Sequence, residues 1–461
     1  MTHPFSRHLL SRRLLLLVAA ATALLGACAT GPSTGTLPPI VFVHGNGDSA
    51  ALWTTTLWRF ESNGWPRGRL RAIDIPYPLS RDDDTRPQEG RSSTAENMAF
   101  LSAEVDKLLM VTGARQVVLV ANSRGGNAVR NYIRNGGGAG KVSHAILGGT
   151  PNHGVYADPM RAPNAEFNGA GVFLTALNAP QGPDGDEVTP GVKWMTIRSD
   201  NNDKYAQPDG VWIGAKGKPT NVTFEGPALK GAENVVIAGI DHRETAYSPK
   251  AFEAMFRFIT GKPPVSLAIV PEAAVVLDGK VSGYFAYAAT GVVPTNLPLV
   301  GATVEVYAVD PSTGERLGAA VHRKSIGADG AWGPFRADAQ ARYEFVLAAP
   351  GYATTHIYRS PFLRASAIVH LRPQPFAKGD TEAAAALYLS RPRGYFGGGR
   401  DRVLINGEAP ADVPPGVPTV STSRVLGEAG KTFLAGFNDE TIPGRTWPTK
   451  DGHISVIEFT G

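Results

Sequence analysis

Hydrophobic positions follow two different rhythms along this chain. From Pro39 to about residue 262, short unbroken apolar runs alternate with stretches in which apolar residues return every three or four positions. The continuous run Pro39-Ile-Val-Phe-Val43 predicts a strand buried on both faces, and further strands are expected at Leu70 to Ile75, Gln116 to Ala121, and near Val142 to Leu147, Val192 to Ile197 and Asn234 to Ala238. Between them, Ser93 followed by Glu96 forms a capping-box pattern for a helix from about Thr94 to Thr112, with Leu101, Val105, Leu108 and Leu109 on one face. A last helix is bracketed by Ser248-Pro249 and Gly261 and carries Phe252, Met255, Phe256 and Ile259 on one side. Strands that alternate with helices predict an α/β class, a mostly parallel sheet with helices on both faces.

Gly261-Lys-Pro-Pro264 ends that rhythm and marks a domain boundary, giving a catalytic-type domain over 39–262. Beyond it come short runs rich in Val, Thr, Tyr and Ala, separated by Asp-Pro, Thr-Gly, Asp-Gly and Pro-Gly turns, so this half is mainly β. Within 265–373, Leu299-Val-Gly-Ala-Thr-Val-Glu-Val-Tyr307, Ala328-Asp-Gly-Ala-Trp332 and Ala349-Pro-Gly-Tyr352 resemble carboxypeptidase-regulatory or transthyretin-like sandwiches. Residues 374–461 read as a further β lobe, entered through an alanine-rich linker at Ala383 to Ala386. The pattern leaves open whether the two make separate sandwiches or one joint barrel.

The N-terminus changes the picture of where the chain resides. A basic segment ending in Arg12-Arg13 precedes an apolar run from Leu14 to Gly26 that is short for a transmembrane helix and reads as a secretion signal. It closes on Leu25-Gly26-Ala27-Cys28, which resembles the bacterial lipobox, so residues 1–27 are expected to be a lipoprotein signal peptide and Cys28 the lipidated first residue. Cys28 is the only cysteine, so no disulfide accounts for it. Ser11-Arg12-Arg13-Leu14 also resembles a twin-arginine signal, leaving Sec and Tat export both open. The following 28–38 are a Pro/Gly-rich flexible tether, and Ala29 after the Cys fits sorting to an outer membrane. The expected location is therefore the bacterial cell envelope, with a membrane as partner through the lipid on Cys28. The net charge is +4, and three of those charges are leader arginines, so nothing argues for a nucleic-acid partner.

The candidate chemistry sits at the ends of the strands. Ala121-Asn-Ser123-Arg-Gly125 interrupts a strand-to-helix transition with small residues two places either side of Ser123, the steric requirement of a nucleophile elbow. His44-Gly-Asn46-Gly47 ends the first strand, where glycines let the backbone approach a reacting oxygen; by position the donors to an oxyanion are the N–H groups of Asn46 and Arg124. The loop after the Val192–Ile197 strand carries two candidate acids, Asp200 and Asp203, and the loop after Asn234–Ala238 carries His242. Ser123, Asp203 and His242 arrive in the order this architecture requires, each after its own strand. For Arg124 and Asp241, charged neighbours of these positions, a structural salt bridge is the expected role. An insertion from Tyr156 to Pro190 holds Phe167, Val172, Phe173, Leu174 and Leu177 and reads either as a lid or acyl-pocket wall or as a loop packing its own apolar residues. No Cys/His cluster, Walker loop or GxGxxG unit is present, so no metal and no cofactor is expected.

These strings carry a family resemblance. Val43-His-Gly-Asn46, Ala121-Asn-Ser-Arg-Gly-Gly126 and Leu147-Gly-Gly-Thr-Pro-Asn-His-Gly154 resemble the α/β-hydrolase superfamily and, more narrowly, the class 2 bacterial lipases. The resemblance covers residues 38 to 262. It implies a lipase or esterase using Ser123 as nucleophile and His242 as base on acyl-ester or lipid substrates. Asp203 is favoured over Asp200 because Gln207-Pro208 follows it, as in lipases with a Ser-x-x-Asp-x-x-x-Gln-Pro loop, although one extra residue separates Ser199 from Asp203. Alternatives within and outside that class are a polyhydroxyalkanoate-type depolymerase and a non-catalytic surface binding lipoprotein with a decayed hydrolase domain.

Overall fold

Six parallel strands form the frame that the apolar runs predict: β1 (Ile40–Val43), β2 (Leu70–Ile73), β3 (Val117–Asn122), β4 (Val142–Gly148), β5 (Lys193–Ser199) and β6 (Glu233–Ile237). Their spatial order is β2-β1-β3-β4-β5-β6, with Ile40 in register with Leu70 on one side and Val118 on the other. Because side chains alternate across a strand, β1 feeds two cores. Val41 and Val43 pack with Leu101, Val105 and Leu108 of α2 (Thr94–Thr112) and with Val129 and Tyr132 of α3 (Arg124–Asn135). Phe42 points to the other face, 5.8 Å from Phe60 of α1 (Thr54–Ser62), which in turn meets Phe252 of α5 (Pro249–Thr260) edge-on at 5.0 Å. Both helix caps form as the sequence predicts: Ser93 and Glu96 exchange capping-box bonds, and Ser248 accepts from the Ala251 N–H.

This computed structural model describes Met1 and residues 37–182, 184–287 and 291–461. The expected signal peptide beyond Met1, Cys28 and most of the expected tether lie outside the described residues. Among the described residues no helix is long and apolar enough to cross a membrane.

The β half is built around one seven-stranded sheet. With β7 (Thr303–Val309), β8 (His322–Ser325), β9 (Arg342–Ala348), β10 (Thr354–Arg359), β11 (Ala385–Ser390), β12 (Thr422–Gly427) and β13 (His453–Glu458), the order is β8-β7-β9-β10-β13-β11-β12. Strands from both sides of residue 373 thus share a sheet, joined where the final strand β13 runs parallel to β10 and β11. The expected linker at Ala383 to Ala386 needs correction: Ala385 and Ala386 open β11 and are buried. A run of alanines has no length requirement of its own, and tertiary burial made it a strand.

Pro38–Gly461 forms a single compact unit. Trp58 of α1 shows why: its indole is buried in the β-half core among residues such as Val304, Trp332 and Phe345, and its Nε1–H donates to Ala365 O at 3.0 Å. Polar contacts reinforce the junction, with Asp74 bound by His370 at 2.9 Å and by Lys280 at 3.1 Å.

Candidate active site

Between the end of β3 at Asn122 and the start of α3 at Arg124, Ser123 alone makes the turn, with φ 54° and ψ −124°. A side chain held at positive φ costs on the order of 1–3 kcal/mol and persists only where the surroundings enforce it. Here the Ser123 N–H donates to Gly148 O at 2.7 Å and Ser123 O accepts from the Gly126 N–H at 2.9 Å. The small residues around it are sterically required. A Cβ on Gly125 would lie 2.6 Å from Val43 O, one on Gly126 would lie 2.0 Å from Thr150 Oγ1, and one on Gly45 would lie 2.9 Å from the Ser123 Cβ.

The loop after β1 is fixed from beneath. His44 is fully buried; the Ile75 N–H donates to its Nε2 at 3.0 Å, so Nδ1 carries the hydrogen and donates to Gly45 O at 2.8 Å. Burial lowers the His44 pKa, in keeping with this neutral tautomer. The Asn46 side chain accepts from the Ser80 N–H at 2.8 Å, which sets the loop beside the serine. Arg124 opens α3, so its backbone N–H has no acceptor within the helix. Its guanidinium faces elsewhere: buried, it pairs with the equally buried Glu166 at 2.6 Å and donates to Ser92 O and Pro78 O. The expected structural salt bridge at Arg124 is present. It ties the Tyr156–Pro190 insertion to the elbow helix.

The two candidate acids are separated by geometry. Asp203 Oδ2 accepts from His242 Nδ1 at 2.5 Å, and its Oδ1 accepts from the Tyr205 N–H at 2.8 Å. Asp200 instead braces the loops, accepting from Asn202 Nδ2 at 2.8 Å, the Gly239 N–H at 2.9 Å and Ser199 Oγ at 3.2 Å. Against the cost of burial, those bonds hold the Asp200 carboxyl below its usual range. With Nδ1 committed to Asp203, the other nitrogen of His242 is the one free to face a substrate. Tyr205 backs the imidazole edge-on at 4.6 Å. Asn122 holds the histidine loop from below, donating through Nδ2 to His242 O at 3.1 Å and to Thr245 Oγ1 at 3.0 Å.

Ser123, His242 and Asn46 line one cavity of about 200 Å³, whose apolar wall includes Val155, Phe167 and Val222. Phe167 of the insertion is thus a pocket wall, while Leu174 and Leu177 of α4 (Val172–Leu177) are buried in the domain. The insertion lends Phe167 to the cavity wall and packs others of its apolar residues into the domain. Among the described residues no group of three or more His, Cys, Asp or Glu side chains is arranged to hold a metal ion.

Residues of the β half reach the loops that carry Asp203 and His242, and sequence reasoning did not find them. Arg391, almost wholly buried, pairs with Asp241 at 2.8 Å and with Glu244 at 2.5 Å, and donates to the Tyr247 hydroxyl. The Tyr395 N–H also donates to Asp241 Oδ2, at 2.9 Å. Asp241 has the structural salt bridge expected for it, and the partner comes from the last lobe. On the acid loop, Lys204 lies 4.4 Å from the centre of the Tyr395 ring and donates to Thr419 O at 3.1 Å. Burial, with Arg243 nearby, lowers the Lys204 pKa to about 8. Breaking the buried pair by Arg391→Met leaves Asp241 with only the longer 3.4 Å pair to Arg400 and is expected to cost about 1.5–3 kcal/mol of stability. Urea unfolding of the variant measures it; a loss below ~1 kcal/mol contradicts this account of the junction.

Comparison with known proteins bears on the same residues. Residues 40–277, more than half of the chain, match the model of the alpha/beta hydrolase family, and residues 273–376 match that of the lipase C-terminal domain. Among solved structures, the mature lipase BlEst2 of Bacillus licheniformis aligns at 20% identity with a TM-score of 0.35, covering 50% of this chain and 94% of that one. Aspergillus fumigatus lipase B aligns at 14% identity with a TM-score of 0.34, covering 52% of this chain and 56% of that one. Bacillus subtilis carboxylesterase CesB aligns at 13% identity with a TM-score of 0.26, covering 50% of this chain and 86% of that one.

Proposed function

Since the chain belongs to the alpha/beta hydrolase family, we propose that it is a serine hydrolase of carboxylic esters working through an acyl-enzyme. The observation that carries the proposal is the 2.5 Å bond from His242 to Asp203, with His242 and Ser123 on the wall of one cavity. In this mechanism His242 takes the Ser123 proton as the hydroxyl attacks the ester carbonyl, and Asp203 holds the imidazole in the right tautomer and stabilises its charged form. The backbone N–H groups of Asn46 and Arg124 stabilise the oxyanion, a contribution of about 3–4 kcal/mol for one donor in a comparable site. Collapse expels the alcohol, protonated by His242, and water then repeats the sequence on the acyl-enzyme.

The volume supports a preference within that class. At about 200 Å³ the cavity is below the ~300 Å³ at which drug-sized ligand pockets begin, which suits a short acyl chain. Hydrolysis of p-nitrophenyl esters should therefore be fastest on acetate and butyrate and fall steeply by palmitate. Absence of turnover on every ester would remove the proposed activity, and a maximum at palmitate would remove the short-chain preference.

We further propose attachment to the bacterial envelope through a lipid on Cys28, supported by Leu25-Gly-Ala-Cys28 after an apolar run. Cys28→Ser should move the protein from the membrane to the soluble fraction on cell fractionation. Unchanged membrane partition would refute the anchor.

A further inference from the structure

Four arginines line a second cavity, of about 210 Å³, between the hydrolase domain and the β half: Arg243, Arg359, Arg372 and Arg393. Two have carboxylate partners, Arg243 with Asp48 at 3.0 Å and Arg359 with Glu458. The other two have none among the described residues. Arg372 donates only to neutral oxygens, Ser282 Oγ, Thr295 O and Asn296 Oδ1, through Nε and Nη2. Arg393 donates one bond, from Nη2 to Phe459 O at 3.1 Å, and its buried Nε has no partner. The Nε of Arg359 is also buried without a partner. Asp48 and Glu458 are on the same wall but are already engaged with Arg243 and Arg359, so Arg372, which lies 5.4 Å from the centre of the Tyr284 ring, and Arg393, which Glu458 and Glu440 offset only from a distance, have no carboxylate in ion-pair contact.

Such an arrangement favours an anion in the cavity. Arginine forks without a carboxylate in contact are suited to planar or tetrahedral oxyanions. Burial, with Arg359 nearby, lowers the Arg393 pKa against the opposing pull of Glu440 and Glu458. The volume is far above the ~15 Å³ that admits one water, leaving room for a polyatomic ion. We infer that this cleft between the domains, lined by Arg372 and Arg393, binds a phosphoryl dianion, either free phosphate or a small phosphate monoester. The inference does not depend on whether Ser123 turns over esters.

The charge argument gives the test two signs. In phosphate-free buffer, Arg393→Gln should melt at least as high as the parent, because it removes a partly buried cation that has no ion-pair partner among the described residues. Ten-millimolar phosphate, on the order of 100 times a Kd of ~0.1 mM, should raise the melting temperature of the parent by linkage, beyond any effect of chloride at matched ionic strength. In Arg393→Gln and in Arg372→Gln the shift should shrink, and calorimetric titration should give a Kd at least tenfold weaker. A larger response to glycerol phosphate than to phosphate would assign a headgroup ester, and the reverse the free ion; either upholds the site. A parent that responds to phosphate no more than to chloride, or variants that respond as the parent does, would overturn it.

Discussion

Replacing Ser123 with alanine is expected to cut kcat by about 10⁶-fold, the size of loss seen when a serine hydrolase loses its nucleophile, with melting temperature unchanged. The two halves of that expectation have separate origins. The hydroxyl proposed to form the acyl-enzyme has no ready substitute in the cavity: beside it are Asn46, apolar side chains, His242 and Tyr205, whose phenol is kept protonated and poorly nucleophilic by burial. The fold is spared because serine and alanine present the same Cβ to the φ 54° turn, and no hydrogen bond to the Ser123 hydroxyl supports the elbow among the described residues. Steady-state rates on p-nitrophenyl butyrate, with circular dichroism, measure both. An Ser123→Ala protein with near-parent kcat would end the assignment of the nucleophile.

Asp203→Asn should lower kcat by about 10⁴-fold, with KM little changed. An amide at this position cannot hold His242 in the tautomer that leaves its outer nitrogen basic, nor stabilise the imidazolium. Asp200→Asn should stay within about tenfold of the parent, because Asp200 serves the loops: Asn202, Ser199 and the Gly239 amide are its partners. Measured on the same ester, a dead Asp200→Asn beside an active Asp203→Asn would reverse the roles proposed for the two.

The parts of the molecule that could be read in the sequence are those fixed by local chemistry. The central strands β1 and β3 are nearly continuous apolar runs buried along their length, and α2 begins where Ser93 and Glu96 say it should. The order Ser123, Asp203, His242 follows the order of the strands that carry them. What stayed hidden has no local signal. Arg391 lies 150 positions from Asp241 and looks like any surface arginine until the fold buries it. Trp58 looks like a core residue of its own helix, yet it fills the core of the other half. The joint sheet was equally invisible, because β13 is placed between β10 and β11 by pairing across about a hundred residues. The buried bond from Glu166 to Arg124 likewise could not be found from an insertion with no periodicity.

The central claim is that Ser123 becomes covalently acylated by an ester with the help of His242 and Asp203. Intact-mass and peptide-mapping mass spectrometry after incubation with a p-nitrophenyl phosphonate tests it most directly, because the phosphonyl group mimics the tetrahedral intermediate and stays on the attacking oxygen. The expected result is one phosphonyl group per chain, on Ser123, formed far more slowly in Asp203→Asn and absent in Ser123→Ala. A chain that hydrolyses esters yet remains unlabelled, or carries the adduct on a different residue, would contradict the account.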